Sequence, residues 1–338
     1  MAKDTPVVGE RAAPGERSVL GETARSSVVT AREFAAMLIP FTNKERGAAR
    51  INASLRSFAK PGTWFAPMWA IMVGAIASPA SHWDFPTIGR ILLAMVMAGP
   101  LLCAFSQVVN DHFDRDVDRI NEPDRPTAAD RLGGRTVAIV ALVLAALALG
   151  IAFALGRLVG ELALGGMLLA LAYSVPPIRL KARNGWYANA ACAFSYEGFA
   201  WVAGTAAFGH LTTGTIVLAS LFSLGAHGLM TLNDFKSLAG DKALGLRSLP
   251  AMLGPWRALL AALLFIDLFQ LLAVCYVLAN QQWIEALAMH LLLLVQLPMQ
   301  LRLARDPAKN APVYCASAIP PFCWSMLAAA LAVRFGGF

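Results

Sequence analysis

The chain has 338 residues, of which 57% are hydrophobic and only 14% are charged. Soluble globular proteins contain about 25% charged residues, and the mean hydropathy of +0.58 also differs from that class. The composition therefore excludes a soluble two-domain enzyme and a secreted disulfide-rich protein. Several uncharged apolar stretches are long enough to cross about 30 Å of hydrocarbon. Because backbone groups in a bilayer must be satisfied internally, the sequence predicts an all-α polytopic membrane protein.

Residues 1–62 form a polar N-terminal segment with charges of both signs and no apolar core near the initiating methionine. This pattern differs from a secretory signal peptide, so we interpret the segment as a cytoplasmic tail. Residues 63–338 are predicted to form one transmembrane domain, with nine apolar stretches that have the length of a membrane helix. These stretches are 63–80, 87–109, 136–156, 158–176, 187–209, 213–232, 257–279, 283–302 and 312–333.

The distribution of positive charge predicts the orientation of this domain. Lysine and arginine concentrate in the N-terminal segment and in the loops after the even-numbered stretches. Of the 28 lysines and arginines, only Arg90, Arg157 and Arg334 fall on the other side. Since cytoplasmic loops are enriched in these residues, we expect a cytoplasmic N-terminus. The net charge of +7 is explained by this orientation signal and does not indicate a nucleic-acid partner.

Two acidic motifs with the same spacing follow the second and the sixth stretch. Residues 110–118 read NDHFDRDVD, and residues 233–241 read NDFKSLAGD. Asp111, Asp114 and Asp118 stand at i, i+3 and i+7, which places them on one face of a helix, and Asp234, Ser237 and Asp241 repeat this spacing. Carboxylate oxygens without nitrogen or sulfur ligands suit Mg²⁺, which takes one or two carboxylates together with phosphate oxygens. The candidate metal ligands are Asp111, Asp114 and Asp118 in the first motif and Asp234 and Asp241 in the second.

These motifs resemble the UbiA-type intramembrane prenyltransferases, and finer matches resemble the branch of chlorophyll and bacteriochlorophyll synthases. The resemblance covers residues 55–335. It implies nine transmembrane helices around a central cavity, in the inner (photosynthetic) membrane of a bacterium, with the acidic motifs on the cytoplasmic side. The finer matches are KPGTWF at 60–65, NEPDRP at 121–126, YSVPPIRLK at 173–181, NGW at 184–186, YEG at 196–198 and NDFKSLAGDKALGLRSLP at 233–250.

The resemblance also implies the reaction. A geranylgeranyl or phytyl group would pass from its diphosphate to the propionate of chlorophyllide or bacteriochlorophyllide, with Mg²⁺ as cofactor. Two Mg²⁺ ions are expected, one at each acidic motif, so the five aspartates above and Glu197 would carry catalysis. The substrate-binding residues that the resemblance implies are Asn110, Asn233, Arg125, Lys181, Arg247, Tyr173 and Tyr196.

Three ionisable residues inside the apolar stretches have two interpretations each. Glu197 lies in the fifth stretch, where a carboxylate costs roughly 2.5–3.5 kcal/mol on insertion scales. It either acts in catalysis or acceptor orientation, or it makes a buried structural hydrogen bond. His227 and His290 either ligate the magnesium of the tetrapyrrole or are packed, hydrogen-bonded residues, and a lone histidine in an apolar stretch favours packing.

Two alternative functions share some of these features. A prenyltransferase with an aromatic quinone-precursor acceptor would carry both acidic motifs, but Ser237 stands where such enzymes usually have the middle aspartate of the second motif. A transporter or a magnesium channel is an alternative of another class. Transporters usually place charged groups near the midplane of discontinuous helices, whereas these carboxylates cluster at the ends of the stretches.

Overall fold

The fold is known from a computed structural model. Within the part of the chain that it describes, the protein is helical and contains no strand, in agreement with the composition. Most of the predicted N-terminal tail and Arg125 lie outside the described residues. The described residues are 60–81, 84–121, 123, 133–209 and 211–338.

A helix is present at each of the nine predicted stretches within these ranges. Seven of the nine are long and apolar enough to cross a membrane. The first is shorter, and the fifth consists of three consecutive segments, Gly185–Ala193, Phe194–Phe199 and Ala200–Ala206. The helices are α1 (Phe65–Ala77), α2 (Phe85–Phe113), α3 (Gly134–Leu155), α4 (Arg157–Ser174), α5 (185–206), α6 (Thr213–Asn233), α7 (Pro255–Ala279), α8 (Trp283–Arg305) and α9 (Pro307–Gly336).

Side-chain caps explain where several helices begin. The carboxylate of Asp84 accepts a hydrogen bond from the backbone N of Thr87 at 2.9 Å at the start of α2. The carboxylate of Asp306 accepts one from the backbone N of Lys309 at 3.2 Å at the start of α9. Because this cap is followed directly by Pro307, a residue favoured in the first helical turn, α9 begins five residues before its predicted start.

Helices α1 and α5 cross at very short range. A Cβ atom on Gly74 would lie 1.9 Å from the carbonyl oxygen of Trp201, and one on Gly204 would lie 2.1 Å from that of Ile71. Small residues at such crossings allow helix backbones to approach and pack in a membrane. The hydroxyl of Thr205 donates to the carbonyl of Gly74 at 2.7 Å. The crossing therefore fixes α1 against α5.

At the end of the bundle where α1, α3 and α5 terminate, two arginines bind helix carbonyls. Arg90 donates to the carbonyl of Ala207 at 2.7 Å and to that of Leu155. Arg334 donates to the carbonyl of Ser78 at 2.7 Å. Since the last carbonyls of a helix carry partial negative charge, a cation is favourable there. Two of the three arginines on the sparsely charged side thus have a structural role.

Two π-helical segments, Met97–Cys103 and Phe194–Phe199, interrupt α2 and α5. Pro100 lies inside the first and, lacking a backbone N–H, cannot donate the hydrogen bond of a regular helical turn. Such segments are rare and are frequently found at functional sites. Both contribute residues to the same cavity between the helices.

Candidate active site

A cavity of about 420 Å³ lies between α1, α2, α4, α5, α6 and α9. Lining residues from the helix interiors are mostly apolar, whereas those at and just beyond the ends of α2 and α6 are mostly polar. The cavity thus joins a polar end to an apolar chamber. The lining residues from the two acidic motifs and the turn of helix that follows the first are Asn110, Val117, Asp118, Asn121, Asn233, Asp234, Lys236 and Ser237.

The two acidic motifs lie at the same end of the bundle. A short helix, Arg115–Asn121, follows α2, while a 3₁₀ turn, Asp234–Ser237, and a second short helix, Leu238–Ala243, follow α6. Asp118 and Asp234, one from each motif, both line the cavity. The structure therefore brings the two predicted motifs together at one site.

Asn121 links the two motifs directly. Its side-chain Nδ2 donates to the carbonyl of Ser237 at 3.3 Å, and its Oδ1 accepts from the backbone N of Gly240 at 3.1 Å. A Cβ atom on Gly240 would lie 2.6 Å from Asn121 Nδ2, so the contact requires glycine there. In the sequence, Asn121 is marked only as the first residue of the matched motif NEPDRP, because its partners lie more than 100 residues away and nothing local indicates the contact.

In the first motif, two buried carboxylates are paired with cations. Asp111 forms an ion pair with Lys60, which sequence analysis did not single out. Asp114 accepts a hydrogen bond from Lys181 Nζ at 2.5 Å and lies 3.4 Å from Arg179 Nη2. These cations compensate the repulsion between closely spaced carboxylates.

Lys181 lies on a short helix, Leu180–Arg183, that follows α4. Burial disfavours its charged form, but Asp114 first, and then Asp241 and Asp234, favour it, so the pKa of Lys181 is raised above its ordinary value. The side chain is consequently a cation at neutral pH. It also lines the cavity, where an anionic group would meet it.

In the second motif, hydrogen bonds orient both carboxylates. Asp234 Oδ2 accepts from Asn189 Nδ2 at 3.0 Å, and Asp241 Oδ2 accepts from the hydroxyl of Ser237 at 2.9 Å. Asp241 Oδ1 is buried and has no hydrogen-bond partner within the part of the chain that the structure describes. An uncompensated buried carboxylate oxygen is costly, and a bound cation would compensate it. Ser237, at the position of the missing middle aspartate, thus serves to orient Asp241.

The part of the chain that the structure describes contains no group of three or more His, Cys, Asp or Glu side chains arranged to hold a metal ion. Asp111 and Asp114 of the predicted first trio form ion pairs with Lys60 and Lys181. Mg²⁺ usually takes only one or two carboxylates and completes its shell with water and substrate phosphates. The oxygens of Asp118 and Asp234 at the cavity, with Asp241 Oδ1, fit that mode of binding.

The other predicted substrate-binding residues divide into two groups. Arg247 has an exposed side chain outside the cavity lining, and its carbonyl accepts a hydrogen bond from the backbone N of Gly185 at 2.8 Å. Arg125 lies outside the described residues. The predicted contacts of Arg125 and Arg247 with the diphosphate therefore stay predictions. The predicted residues that line the cavity are Asn110, Asn233, Lys181, Tyr173 and Tyr196.

Tyr196 belongs to a directed chain of hydrogen bonds on the cavity wall. The hydroxyl of Ser106 donates to the carbonyl of Cys103 at 2.8 Å, so it accepts from the hydroxyl of Tyr196 at 2.9 Å. Tyr196 in turn accepts from Gln107 Nε2 at 3.0 Å. The position and the polarity of the Tyr196 hydroxyl are therefore determined by α2.

Glu197 and the two histidines differ in their relation to the cavity. Glu197 lies in a π-helical segment, is 8% exposed and lines the cavity. Neither His227 nor His290 is among the lining residues. The ring of His227 stacks on Trp186 and Phe265, with centroids 5.7 Å and 4.5 Å away, and its Nε2 lies 3.1 Å from the carbonyl of Trp186. For His227 the structure favours the packed interpretation.

Comparison with known proteins identifies the family. The model of the UbiA prenyltransferase family matches residues 67–332. The bacteriochlorophyll synthase 34 kDa chain of Chloroflexus aurantiacus is 47% identical over 272 residues, which cover 80% of this chain and 87% of the relative. The chloroplastic chlorophyll synthase of Oryza sativa subsp. japonica is 40% identical over 281 residues, 81% of this chain and 74% of the relative.

A solved structure shares the fold. The UbiA homolog from Archaeoglobus fulgidus, solved bound to GPP and Mg²⁺, superposes with a TM-score of 0.64 at 18% identity, covering 83% of this chain and 99% of that one. These matches indicate a prenyltransferase and therefore argue against the alternative of a transporter or a magnesium channel. With its all-helical fold and its two acidic motifs at one cavity, the chain belongs to the UbiA prenyltransferase family.

Proposed function

We propose that this prenyltransferase esterifies the propionate of chlorophyllide or bacteriochlorophyllide with a geranylgeranyl or phytyl group. The identity of 47% and 40% to relatives named bacteriochlorophyll and chlorophyll synthase supports the tetrapyrrole acceptor. The observation that carries the chemistry is the cavity, because it combines carboxylates and lysines at one end with a largely apolar wall. Such a cavity suits a substrate with a charged diphosphate and a long hydrocarbon tail.

In the proposed reaction, the bond between C1 of the prenyl group and the diphosphate oxygen breaks, and its electron pair leaves with the diphosphate. A propionate oxygen forms a new bond to C1 and gives the ester. The ionised propionate is already a nucleophile, so no protein base has to remove a proton. The main barrier is charge separation, which cationic groups beside the departing anion lower by several kcal/mol.

Lys60 and Lys181 are the cations that line the polar end beside the first motif, and we assign them to the diphosphate. Bound Mg²⁺ would supply Lewis-acid stabilisation of the same negative charge. The apolar wall would keep water from the allylic cation, which water would otherwise quench. The residues proposed to hold two Mg²⁺ ions are Asp111, Asp114 and Asp118 for one and Asp234 and Asp241 for the other.

We further propose that all nine helices cross the inner membrane of a photosynthetic bacterium, with residues 1–62 as a cytoplasmic tail. The charge distribution in the sequence supports this orientation. It places the acidic motifs at the cytoplasmic surface, where a water-soluble diphosphate product can leave.

The decisive experiment supplies membranes containing the protein with labelled geranylgeranyl diphosphate, Mg²⁺ and chlorophyllide or bacteriochlorophyllide. Chromatography should show a prenylated ester with the wild type and none with Asp234→Asn. Asp116→Asn is the matched control, because Asp116 lies in the first motif but is exposed and pairs with Arg119. A product formed only with a hydroxybenzoate or naphthoate acceptor would instead establish the quinone-type reaction.

A further inference from the structure

Glu197 stands apart from the other acidic residues of the cavity. Among the described residues, three acidic side chains line it; Asp118 and Asp234 belong to the acidic motifs, whereas Glu197 lies deep in α5. Asn189, which binds Asp234, precedes Glu197 by eight residues on the same helix. With a rise of 1.5 Å per residue, Glu197 lies roughly 12 Å farther into the bundle.

At this depth the described residues provide few hydrogen-bond donors or cations that could stabilise the carboxylate of Glu197. Its Oε2 atom is buried and has no hydrogen-bond partner among the described residues. The lysines among the described lining residues lie at the polar end, where Lys60 and Lys181 engage Asp111 and Asp114 and Lys236 belongs to the second acidic motif. An uncompensated carboxylate in an apolar interior is costly, so it is typical of a site completed by its ligand. The missing partner is a group that attracts an anionic oxygen.

We propose that Glu197 is the axial oxygen ligand of the magnesium at the centre of the tetrapyrrole acceptor, an inference that rests on the proposed function. Four ring nitrogens hold this magnesium and leave its axial positions open. Magnesium is a hard cation and prefers oxygen ligands, so the cysteine thiols of the cavity are poor alternatives. This magnesium is part of the acceptor and is distinct from the Mg²⁺ ions proposed at the acidic motifs.

The other oxygen and nitrogen side chains near Glu197 are unsuited to this role. No histidine is among the described residues that line the cavity. The hydroxyl of Ser195 donates to the carbonyl of Ala191 at 2.7 Å, within its own helix. The hydroxyl of Tyr196 is engaged by Gln107 and Ser106. Of these side chains, Glu197 is the one with a buried oxygen that has no hydrogen-bond partner among the described residues.

The position along α5 agrees with the shape of the acceptor. The propionate must reach C1 of the prenyl group next to the polar end, whereas the ring centre lies farther from the diphosphate. A ligand at the depth of Glu197 would hold the ring by its metal and direct the propionate towards C1. Glu197 would then act in binding and orientation of the acceptor.

The test measures acceptor binding in the absence of prenyl diphosphate. Dissociation constants are determined by fluorescence quenching for chlorophyllide and for its metal-free analogue, with the wild type, Glu197→Gln and Glu197→Ala. We expect the wild type to prefer the magnesium form by about tenfold or more, and both variants to lose most of that preference. Binding of the metal-free ring should change little. The absorption band of the ring that reports axial coordination should shift on binding to the wild type only.

Asp267→Asn provides the matched control. Asp267 is another intramembrane carboxyl, but it accepts a hydrogen bond from Gln300 at 2.6 Å and does not line the cavity. This variant should keep the metal preference. The proposal is overturned if Glu197→Ala, which has no side-chain oxygen, also keeps the preference, or if the variants weaken binding of both rings equally. Failure of the proposed function appears separately, as the absence of ester from the wild type in the turnover assay.

Discussion

Lys60 has a role in the structure that its place in the sequence does not reveal. In the sequence it is one of seven lysines and is marked only as the first residue of the matched motif KPGTWF, whereas in the structure it pairs with the fully buried Asp111. Breaking a buried pair by removing one partner costs about 3–5 kcal/mol, because an uncompensated charge stays behind. We therefore expect that the effect of these ion pairs on the stability of the protein can be separated from their effect on catalysis.

We expect Asp111→Asn and Lys60→Met each to lower the unfolding temperature of the protein in detergent. The double variant should regain part of that loss, because both members of the Lys60–Asp111 ion pair are then removed together. It should not regain prenyl transfer, since the proposed metal and diphosphate contacts are both absent. Thermal unfolding and product chromatography on the same preparations provide the two measurements. A double variant no more stable than Asp111→Asn would contradict the pairing.

Lys181 and Arg183 allow a comparison of two cations on one short helix. Lys181 lines the cavity beside Asp114, whereas Arg183 is exposed and outside the lining. Lys181→Gln should lower kcat/KM by about a hundredfold, as is typical when a group that stabilises a developing anion is removed. Arg183→Gln should stay close to the wild type. Equal losses in steady-state assays with both variants would indicate a general effect of positive charge at this surface.

At the scale of elements, the contact of Asn121 with the helix Leu238–Ala243 determines the spacing of the two acidic motifs. We expect Asn121→Ala to raise the Mg²⁺ concentration that gives half-maximal activity, because the two sets of carboxylates are no longer held together. Gly240→Ala should act similarly, since its Cβ would collide with Asn121. The double variant should be no worse than Asn121→Ala, because the collision is then removed. Additive losses in the Mg²⁺ titrations would contradict this link.

The helices and the acidic motifs also show which features of this structure can be predicted from the sequence. Hydropathy places the nine helices to within a few residues, since each stretch must bury its backbone polar groups by itself. The positions of the two motifs after the second and the sixth stretch likewise predict that Asp118 and Asp234 lie at one end of the domain. The π-helical segments around Pro100 and Glu197 were not predicted, because they depend on how α2 and α5 pack. The partners of Asp111 and Asn121 were missed for the same reason, as both contacts join distant parts of the chain.

At the scale of the whole molecule, the orientation in the membrane can be tested at the two ends of α4. Arg157 is exposed where α4 begins, and Arg183 is exposed just after α4 ends. In intact cells, a membrane-impermeant maleimide should label Arg157→Cys, while Arg183→Cys should react only after the cells are broken. The unsubstituted protein, with its five native cysteines, is the control. The reverse pattern would place the acidic motifs outside the cytoplasm.

The two π-helical segments have a consequence for how relatives of this protein can diverge. A π-helical turn contains one residue more than the α-helical turn it replaces, and here both such turns border the same chamber. Deleting a single residue in either segment would restore regular winding and rotate the wall of the chamber, while the caps and the distant ends of that helix stay intact. Enzymes of this architecture can thus acquire differently shaped acceptor sites through one-codon insertions and deletions as well as through substitutions.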